Sequence, residues 1–185
     1  MSIILLLLRL PILVVHILVG LFTILFFPKE PKNFTSSHYR IMMLWMNILS
    51  SILGIKVDIR GIPDQSANLF VSNHVTYLDI IIINKLLPVN FIAKEEISSW
   101  PVIGRLASKT GTLFIKRGDN VESSKMIYEM EERFKLQNKI VFFPEGKIGN
   151  GKRVRKFHYK LFKSIENKEL YIQPIAIRYP TGYPI

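Results

Sequence analysis

The chain of 185 residues has the size of one folded domain, and 49% of its residues are hydrophobic while 21% are charged. This composition excludes a disordered charged tail and, with only 10 Gly and 10 Pro, a fibrous protein. The absence of cysteine excludes a disulfide framework, a thiolate metal site and a cysteine nucleophile, while the net charge of +11 predicts an anionic partner or surface.

The first predicted element is an apolar helix. Arg9 is the one charged residue before Pro28, and residues 10–27 are 18 residues without a formal charge, of which 14 are Leu, Ile, Val or Phe. At about 1.5 Å per residue this run is roughly 27 Å long, close to the ~30 Å of a bilayer's hydrocarbon core. Membrane insertion is therefore predicted. A cleaved secretory signal would need small residues after Phe27, and a buried core helix would need a covering layer on every side.

A second apolar stretch covers residues 40–53, with Gly54 where a helix would end. It is amphipathic, since Asn47, Ser50 and Ser51 interrupt its apolar side chains. Two interpretations stay open: the two helices form a hairpin in or partly through one leaflet, or the second helix packs on the core of the following domain. We predict a membrane-anchoring helical hairpin over residues 1–54 and an α/β domain over residues 55–185.

From residue 55 onward, short β-type runs alternate with helical stretches. Strands are predicted at residues 56–60, 68–72, 89–93, 112–116, 139–143 and 170–178, and helices near residues 77–87 and 121–136. The alternation predicts an α/β fold, a mixed β-sheet flanked by helices, with its functional groups on the loops at strand ends. Pro174 lies inside the last run and predicts an edge strand or a bulge, because proline has no backbone N–H to donate.

The first strand end combines a histidine with a carboxylate. His74 follows the strand at residues 68–72, and Asp79 falls in the first turn of the next helix, where the helix dipole favours a negative charge. Such a pair forms a general base and the carboxylate that orients it, and without a serine nucleophile elbow the substrate's own hydroxyl becomes the nucleophile. A capped helix start beside a histidine with satisfied hydrogen bonds is the alternative.

The next two strand ends supply cations and glycines. Arg117 follows the strand at residues 112–116, and its guanidinium suits a phosphate group, although surface pairing with Asp119 would explain it equally well. Glu145 and Gly146 follow the strand at residues 139–143, and residues 146–165 contain seven basic and no acidic side chains. Glycine N–H groups beside such cations attract phosphate or acidic headgroups, while an ordinary solvated basic face is the alternative.

Four ordered blocks behind the apolar N-terminus resemble those of a known family. The blocks are Asn73-His74-x4-Asp79, Phe114-Ile115-Lys116-Arg117, Phe143-Pro144-Glu145-Gly146 and Ile172-Gln173-Pro174-Ile175. Together with the segments at residues 91–95 and 100–104, they are similar to the glycerolipid acyltransferases, and most of all to bacterial 1-acyl-sn-glycerol-3-phosphate acyltransferases. The resemblance covers roughly residues 10–180 and makes the α/β domain an acyltransferase domain.

The resemblance implies a role for each matching residue. His74 would deprotonate the acceptor hydroxyl and Asp79 would orient it. The implied substrate-binding residues are Arg117 for the acceptor phosphate, Glu145 and Gly146 lining the acceptor site, Lys94 for the thioester carbonyl or its oxyanion, and Lys116 and Lys147 as neighbouring cations. The acyl donor would be acyl-CoA or acyl-carrier protein, a co-substrate, so that neither a cofactor nor a metal ion is expected. Such an enzyme forms no covalent acyl-enzyme.

Departures from the family pattern concern the acceptor. Lys147, Ile148 and Gly149 stand where small hydroxylated residues usually follow Glu-Gly, which leaves the identity of the acceptor open. The expected acceptor is 1-acyl-sn-glycerol-3-phosphate, which yields phosphatidic acid, and a zwitterionic lysophospholipid or a lyso-ornithine lipid is the alternative. Members of the family usually continue beyond the fourth block, and we therefore expect a C-terminal truncation at Ile185.

The remaining expectations concern location and other functions. We predict the bacterial cytoplasmic membrane, with the catalytic body facing the cytoplasm, because basic residues closely follow the apolar head and thioester donors are cytosolic. A membrane-anchored module that binds acidic lipid headgroups without catalysis is the alternative from another class. Nucleic-acid binding is not expected, because no basic motif interleaved with aromatic residues is present.

Overall fold

The structure, a computed structural model, describes residues 3–116, 120–149 and 153–180. Its helices are α1 (Ile3–Thr23), α2 (Ser36–Ile52), α3 (Leu78–Leu86), α4 (Ile103–Lys109) and α5 (Asn120–Lys135). Its strands are β1 (Ala67–Ser72), β2 (Val89–Lys94), β3 (Leu113–Ile115), β4 (Lys139–Phe142) and β5 (Tyr171–Ile175). Short 3₁₀ helices lie at Ile24–Phe26, Pro31–Asn33, Glu95–Ser99 and Tyr159–Ile165.

The five strands form one sheet in the order β3-β2-β4-β1-β5. The expected α/β architecture is confirmed, and the sheet that was expected to be mixed is parallel at each pairing between these strands. β5 lies at the edge, where Pro174 pairs with Val71 of β1 and the register shifts between Ala67 and Leu69. The prediction from Pro174 is therefore confirmed, since an edge strand can do without one donor.

Several sequence-based expectations for secondary structure differ from the structure. The last strand, predicted at residues 170–178, is the shorter β5, which ends at Ile175. Residues 56–60, predicted as a strand, have no regular secondary structure and pair with no strand of the sheet. Alternating apolar residues are common to strands and to extended surface segments, so that only a pairing partner distinguishes the two. The helix α4 was not predicted, and its seven residues are too few for a clear helical period.

The sheet separates two apolar layers. On one side α5 contributes Met126, Met130 and Phe134 to a cluster with Leu69 of β1, and on the other side Ile83 of α3 packs with the neighbouring Phe70. Successive strand residues point to opposite faces, so that β1 needs apolar side chains at consecutive positions. Helices on both faces leave the carboxyl ends of β1 and β4 open for a site.

The helix α1 is long and apolar enough to cross a membrane over Leu7–Phe26, a segment with a mean hydropathy of 2.3 that is only 17% buried. It packs against α2, where the ring of His16 stacks on Trp45 with 4.5 Å between centroids and the Trp45 Nε1–H donates to the carbonyl of His16 at 3.2 Å. Gly20 makes room for this indole, because a Cβ there would lie 2.7 Å from Trp45 Nε1.

The helix α2 also packs on the α/β domain. Lys85 of α3 donates to the buried Ser50 hydroxyl at 3.0 Å. At the other end of α2, the Tyr39 hydroxyl bonds to Asn138 and, at 2.9 Å, to the Oδ1 of Asn90. Burial raises the pKa of Tyr39 to about 12, so that its hydroxyl stays protonated as a donor. Of the two interpretations left open, packing on the domain is therefore observed, while the division of the chain at residue 54 stays a prediction.

Candidate active site

The site lies at the carboxyl ends of β1 and β4, which are neighbours in the sheet. The loop after β1 carries His74. The backbone carbonyl of His74 accepts a hydrogen bond at 2.7 Å from the N–H of Gly149, which lies in the loop after β4. Asn73 ties the same loop to the chain beyond β5, because its side chain donates to the Ile177 carbonyl at 2.9 Å and accepts from the Ile177 N–H at 2.7 Å. Three segments distant in sequence are thus joined around His74.

The histidine and the carboxylate meet as the sequence predicted. His74 Nδ1 lies 2.8 Å from Oδ2 of Asp79, which is fully buried in the first turn of α3. The same oxygen accepts from the backbone N–H groups of Val75 at 2.6 Å and Thr76 at 3.0 Å. The other oxygen, Oδ1, accepts from the Tyr179 hydroxyl at 2.6 Å. These contacts fix the carboxylate beside His74. The N–H groups of Val75 and Thr76 precede α3, and Tyr77 at its N-cap makes no side-chain capping hydrogen bond, so the geometry is that of the predicted pair rather than of a capped helix start.

The hydrogen bonds determine the charge of Asp79. Burial alone would raise the pKa of Asp79, but the hydrogen bonds from His74, Tyr179, Thr76 and Val75 together outweigh burial and hold its pKa below the ordinary value. An ionised carboxylate only accepts hydrogen bonds, so Nδ1 of His74 carries the hydrogen. The lone pair of the neutral ring is then on Nε2, which is available to take a proton.

Aromatic packing fixes the plane of the imidazole. The His74 ring stacks on Phe143 with 3.9 Å between centroids and 12° between planes, and Phe91 of β2 lies behind Phe143 at 6.2 Å. The His74 side chain remains 13% exposed, whereas Asp79 is closed to solvent. The ring therefore has one buried edge held by the carboxylate and little freedom to rotate.

A cavity of about 120 Å³ lies beside the imidazole. It is lined by Asn73, His74, Val75, Glu145, Gly149, Arg153 and Val154. Glu145 is buried, and its Oε2 accepts from the Arg155 N–H at 3.0 Å. Gly146 has a φ of +65°, which a glycine adopts without strain, and its N–H donates to the Phe143 carbonyl at 2.9 Å to close the turn.

The structure brings together only part of the predicted site. Glu145 lines the cavity with His74, and Gly146 forms the turn beside it. Lys94 ends β2, pairs with Glu96 at 2.6 Å and is not among the cavity-lining residues. The two other predicted lysines, Lys116 and Lys147, are exposed and are also not among them. Arg117 lies outside the described residues.

Two residues of the site were not singled out from the sequence. Arg153 lines the cavity, and its only signal was membership of the basic run. Tyr179 contacts Asp79 from 100 positions further along the chain, and no local pattern marks it. Among residues 3–116, 120–149 and 153–180, no group of three or more His, Asp and Glu side chains is placed to hold a metal ion.

The chain resembles several known proteins. A family model described as Acyltransferase matches residues 55–178. The chain is 34% identical to the lyso-ornithine lipid O-acyltransferase of Pseudomonas aeruginosa over 78% of this chain and 56% of that protein. It is 30% identical to the 1-acyl-sn-glycerol-3-phosphate acyltransferase of Neisseria meningitidis over 78% of this chain and 57% of that protein.

A solved structure shares the fold. The crystal structure of the 1-acyl-sn-glycerophosphate (LPA) acyltransferase PlsC from Thermotoga maritima matches with a TM-score of 0.57 and 20% identity, over 72% of this chain and 55% of that one. The chain spans about half the length of the curated relatives it matches. Since the family model covers well over half of the chain, and relatives at 30% identity or more cover over two thirds of it, the chain belongs to the glycerolipid acyltransferase family.

Proposed function

We propose that this protein is an O-acyltransferase that moves a fatty acyl group from acyl-CoA or acyl-carrier protein to the free hydroxyl of a lysolipid. The observation that carries the proposal is the His74–Asp79 pair, 2.8 Å apart, beside a cavity that also presents Glu145 and Arg153. A buried carboxylate, an oriented imidazole and an open cavity together form the arrangement that general-base catalysis requires.

The proposed reaction is a direct transfer. Nε2 of His74 takes the proton of the lysolipid hydroxyl as its oxygen attacks the thioester carbonyl, and Asp79 stabilises the imidazolium. The tetrahedral oxyanion then collapses, the carbon–sulfur bond breaks, and the thiolate of the donor takes the proton from His74. The described residues that line the cavity include no serine or threonine, and the chain contains no cysteine, so the acceptor oxygen itself is the proposed nucleophile.

The cationic residues have proposed roles in substrate binding. Arg153 lines the cavity, and its guanidinium suits a phosphate of the acceptor or of the donor. Arg117 is proposed for the acceptor phosphate from the family resemblance, with Lys116 and Lys147 as neighbouring cations. A role for Lys94 at the oxyanion requires its ion pair with Glu96 to open, and Lys94 is not among the described residues that line the cavity.

The proposed acceptor is 1-acyl-sn-glycerol-3-phosphate. The names of relatives from Neisseria meningitidis and Helicobacter pylori support this choice, as does the basic segment at residues 146–165. Lyso-ornithine lipid is a second candidate. Relatives from Pseudomonas aeruginosa and Rhodobacter capsulatus that carry this name are 34% and 36% identical, and the cavity presents both a carboxylate and a guanidinium, which suit a zwitterionic headgroup.

An acceptor scan tests the proposed function. The purified chain in detergent is offered each lysolipid with labelled acyl-CoA and, separately, with labelled acyl-carrier protein. We expect labelled phosphatidic acid from 1-acyl-sn-glycerol-3-phosphate, and less product from lyso-ornithine lipid. A higher kcat/KM with lyso-ornithine lipid would make that lipid the acceptor in place of 1-acyl-sn-glycerol-3-phosphate. If no lysolipid is acylated from either donor while the chain still binds vesicles of acidic lipids, the proposed activity is contradicted and the non-catalytic binding module is supported.

The proposed location is a bacterial cytoplasmic membrane with the α/β domain facing the cytoplasm. The apolar span Leu7–Phe26 and the basic residues that follow Pro28 support this orientation. We expect protease added to inside-out vesicles to digest the α/β domain, while right-side-out vesicles protect it. The reverse pattern would place the domain on the other side.

A further inference from the structure

The second oxygen of the Asp79 carboxylate has a side-chain partner of its own. Oδ2 accepts three hydrogen bonds, from the His74 ring and from the backbone N–H groups of Val75 and Thr76, whereas Oδ1 accepts one from the Tyr179 hydroxyl at 2.6 Å. Because Asp79 is fully buried, an oxygen without a protein donor would have no access to bulk water. Tyr179 thus completes the set of donors around the carboxylate.

We propose that Tyr179 is a positioning residue, whose hydroxyl holds the Asp79 carboxylate in the orientation that presents Oδ2 to Nδ1 of His74. This inference rests on the proposed function, since the orientation matters only if His74 is the base. A carboxylate held at one oxygen can turn about its Cβ–Cγ bond, and a hydrogen bond to the other oxygen opposes that motion. The effect on the reaction therefore passes through Asp79.

The fold brings Tyr179 to this point by two connections. β5 pairs with β1 up to Ser72 and Ile175, so the chain beyond β5 leaves the sheet beside the His74 loop. Both hydrogen bonds between Asn73 and Ile177 then hold this segment two residues before Tyr179. Tyr179 also lies just beyond residues 55–178, the range that the family model matches.

The chemistry of the phenol suits a fixed donor. Burial, together with the hydrogen bond to the carboxylate and its negative charge, raises the pKa of Tyr179 far above its ordinary value. The hydroxyl therefore keeps its hydrogen throughout the neutral range and does not exchange protons with the reaction. Its partner Asp79 in turn stays ionised, because the hydrogen bonds to it outweigh the effect of burial on its pKa.

A double-mutant cycle on activity tests the proposal. Tyr179→Phe removes only the hydroxyl, and we expect kcat for acyl transfer to fall roughly 5- to 50-fold with KM changed less than about twofold. In the Asp79→Asn background the same substitution is expected to cost less than about twofold, because the carboxylate it acts on is gone. Tyr171→Phe, on the same C-terminal segment and 61% exposed, is the matched control and should change kcat less than about twofold.

A second measurement needs no activity. The thermal midpoint of the full chain in detergent is followed from about pH 7 to pH 3. The lowered pKa of folded Asp79 gives a stability that is lost on acidification, and Tyr179→Phe should make this loss smaller in the native background and leave it unchanged with Asp79→Asn.

The outcomes separate the two proposals. Equal kcat losses in both backgrounds, or no loss with Tyr179→Phe, would overturn the positioning role. Wild-type protein that transfers no acyl group, yet shows the Tyr179-dependent acid loss of stability, would overturn the proposed function and leave the link from Tyr179 to Asp79 intact. An acid loss that does not respond to Tyr179→Phe would overturn that link.

Discussion

His74→Ala is expected to lower kcat for transfer from a labelled thioester to 1-acyl-sn-glycerol-3-phosphate by roughly 10²- to 10⁴-fold. The imidazole is oriented by Asp79 beside the cavity, and alanine leaves neither a proton acceptor nor an imidazolium partner for Asp79. Binding to vesicles that contain acidic lipids should be retained, because the basic segment at residues 146–165 is unchanged.

A matched control distinguishes the chemistry from a general loss of histidine. His158 is exposed, and its backbone N–H, which alanine keeps, donates to the Pro144 carbonyl at 2.8 Å, so His158→Ala should keep kcat within about twofold. A His74→Ala variant that transfers acyl groups as fast as the native protein would contradict the proposed base, and loss of folding in that variant would show as a shifted thermal midpoint.

Asp79→Asn is the second substitution with a large expected effect. Asparagine has nearly the same shape, and its oxygen can still accept from the backbone N–H groups of Val75 and Thr76 while its amide faces the Tyr179 hydroxyl. The negative charge that stabilises the imidazolium is lost, and kcat should fall by roughly 10²- to 10⁴-fold. Asp64→Asn is the control, because Asp64 lies on an exposed turn with Ser66.

Asp79→Asn should also change how the stability of the folded protein depends on pH. The pKa of Asp79 is lowered in the folded state, so its contribution to stability is present above the pKa of the unfolded chain, about 3.9, and is lost as the pH falls through the folded value. Asp79→Asn lacks this group, so the thermal midpoint should fall less between neutral and acidic pH than in the native protein. Parallel pH profiles for the two proteins would contradict the lowered pKa.

Local patterns in the chain predicted most of the elements. The strands β1, β2 and β4 lie within one residue of their predicted bounds, because apolar runs between turns are strong signals for buried parallel strands. The pairing of His74 with Asp79 could also be predicted from the sequence, since a strand end followed by a helix start keeps residues five apart near each other. The prediction of a strand at residues 56–60 was wrong, because alternating apolar residues do not reveal whether a pairing strand is present.

The remaining features depend on contacts between distant parts of the chain. Tyr179 reaches Asp79 across 100 positions, and Arg153 shares a cavity with His74 only because β1 and β4 are neighbours in the sheet. Whether α2 lies free in the lipid or on the domain also depended on partners outside the helix, such as Lys85.

The amino-acid sequence by itself therefore predicted the family, the α/β class, the apolar N-terminal helix and the histidine–carboxylate pair, since each is encoded in short local patterns. The strand order of the parallel sheet, the packing of α2 on the domain, the ion pair of Lys94 with Glu96 and the contact of Tyr179 with Asp79 were decided by the tertiary structure. The physical reason is that hydrogen bonds and packing act over a few ångströms in space, whatever the number of residues between the partners.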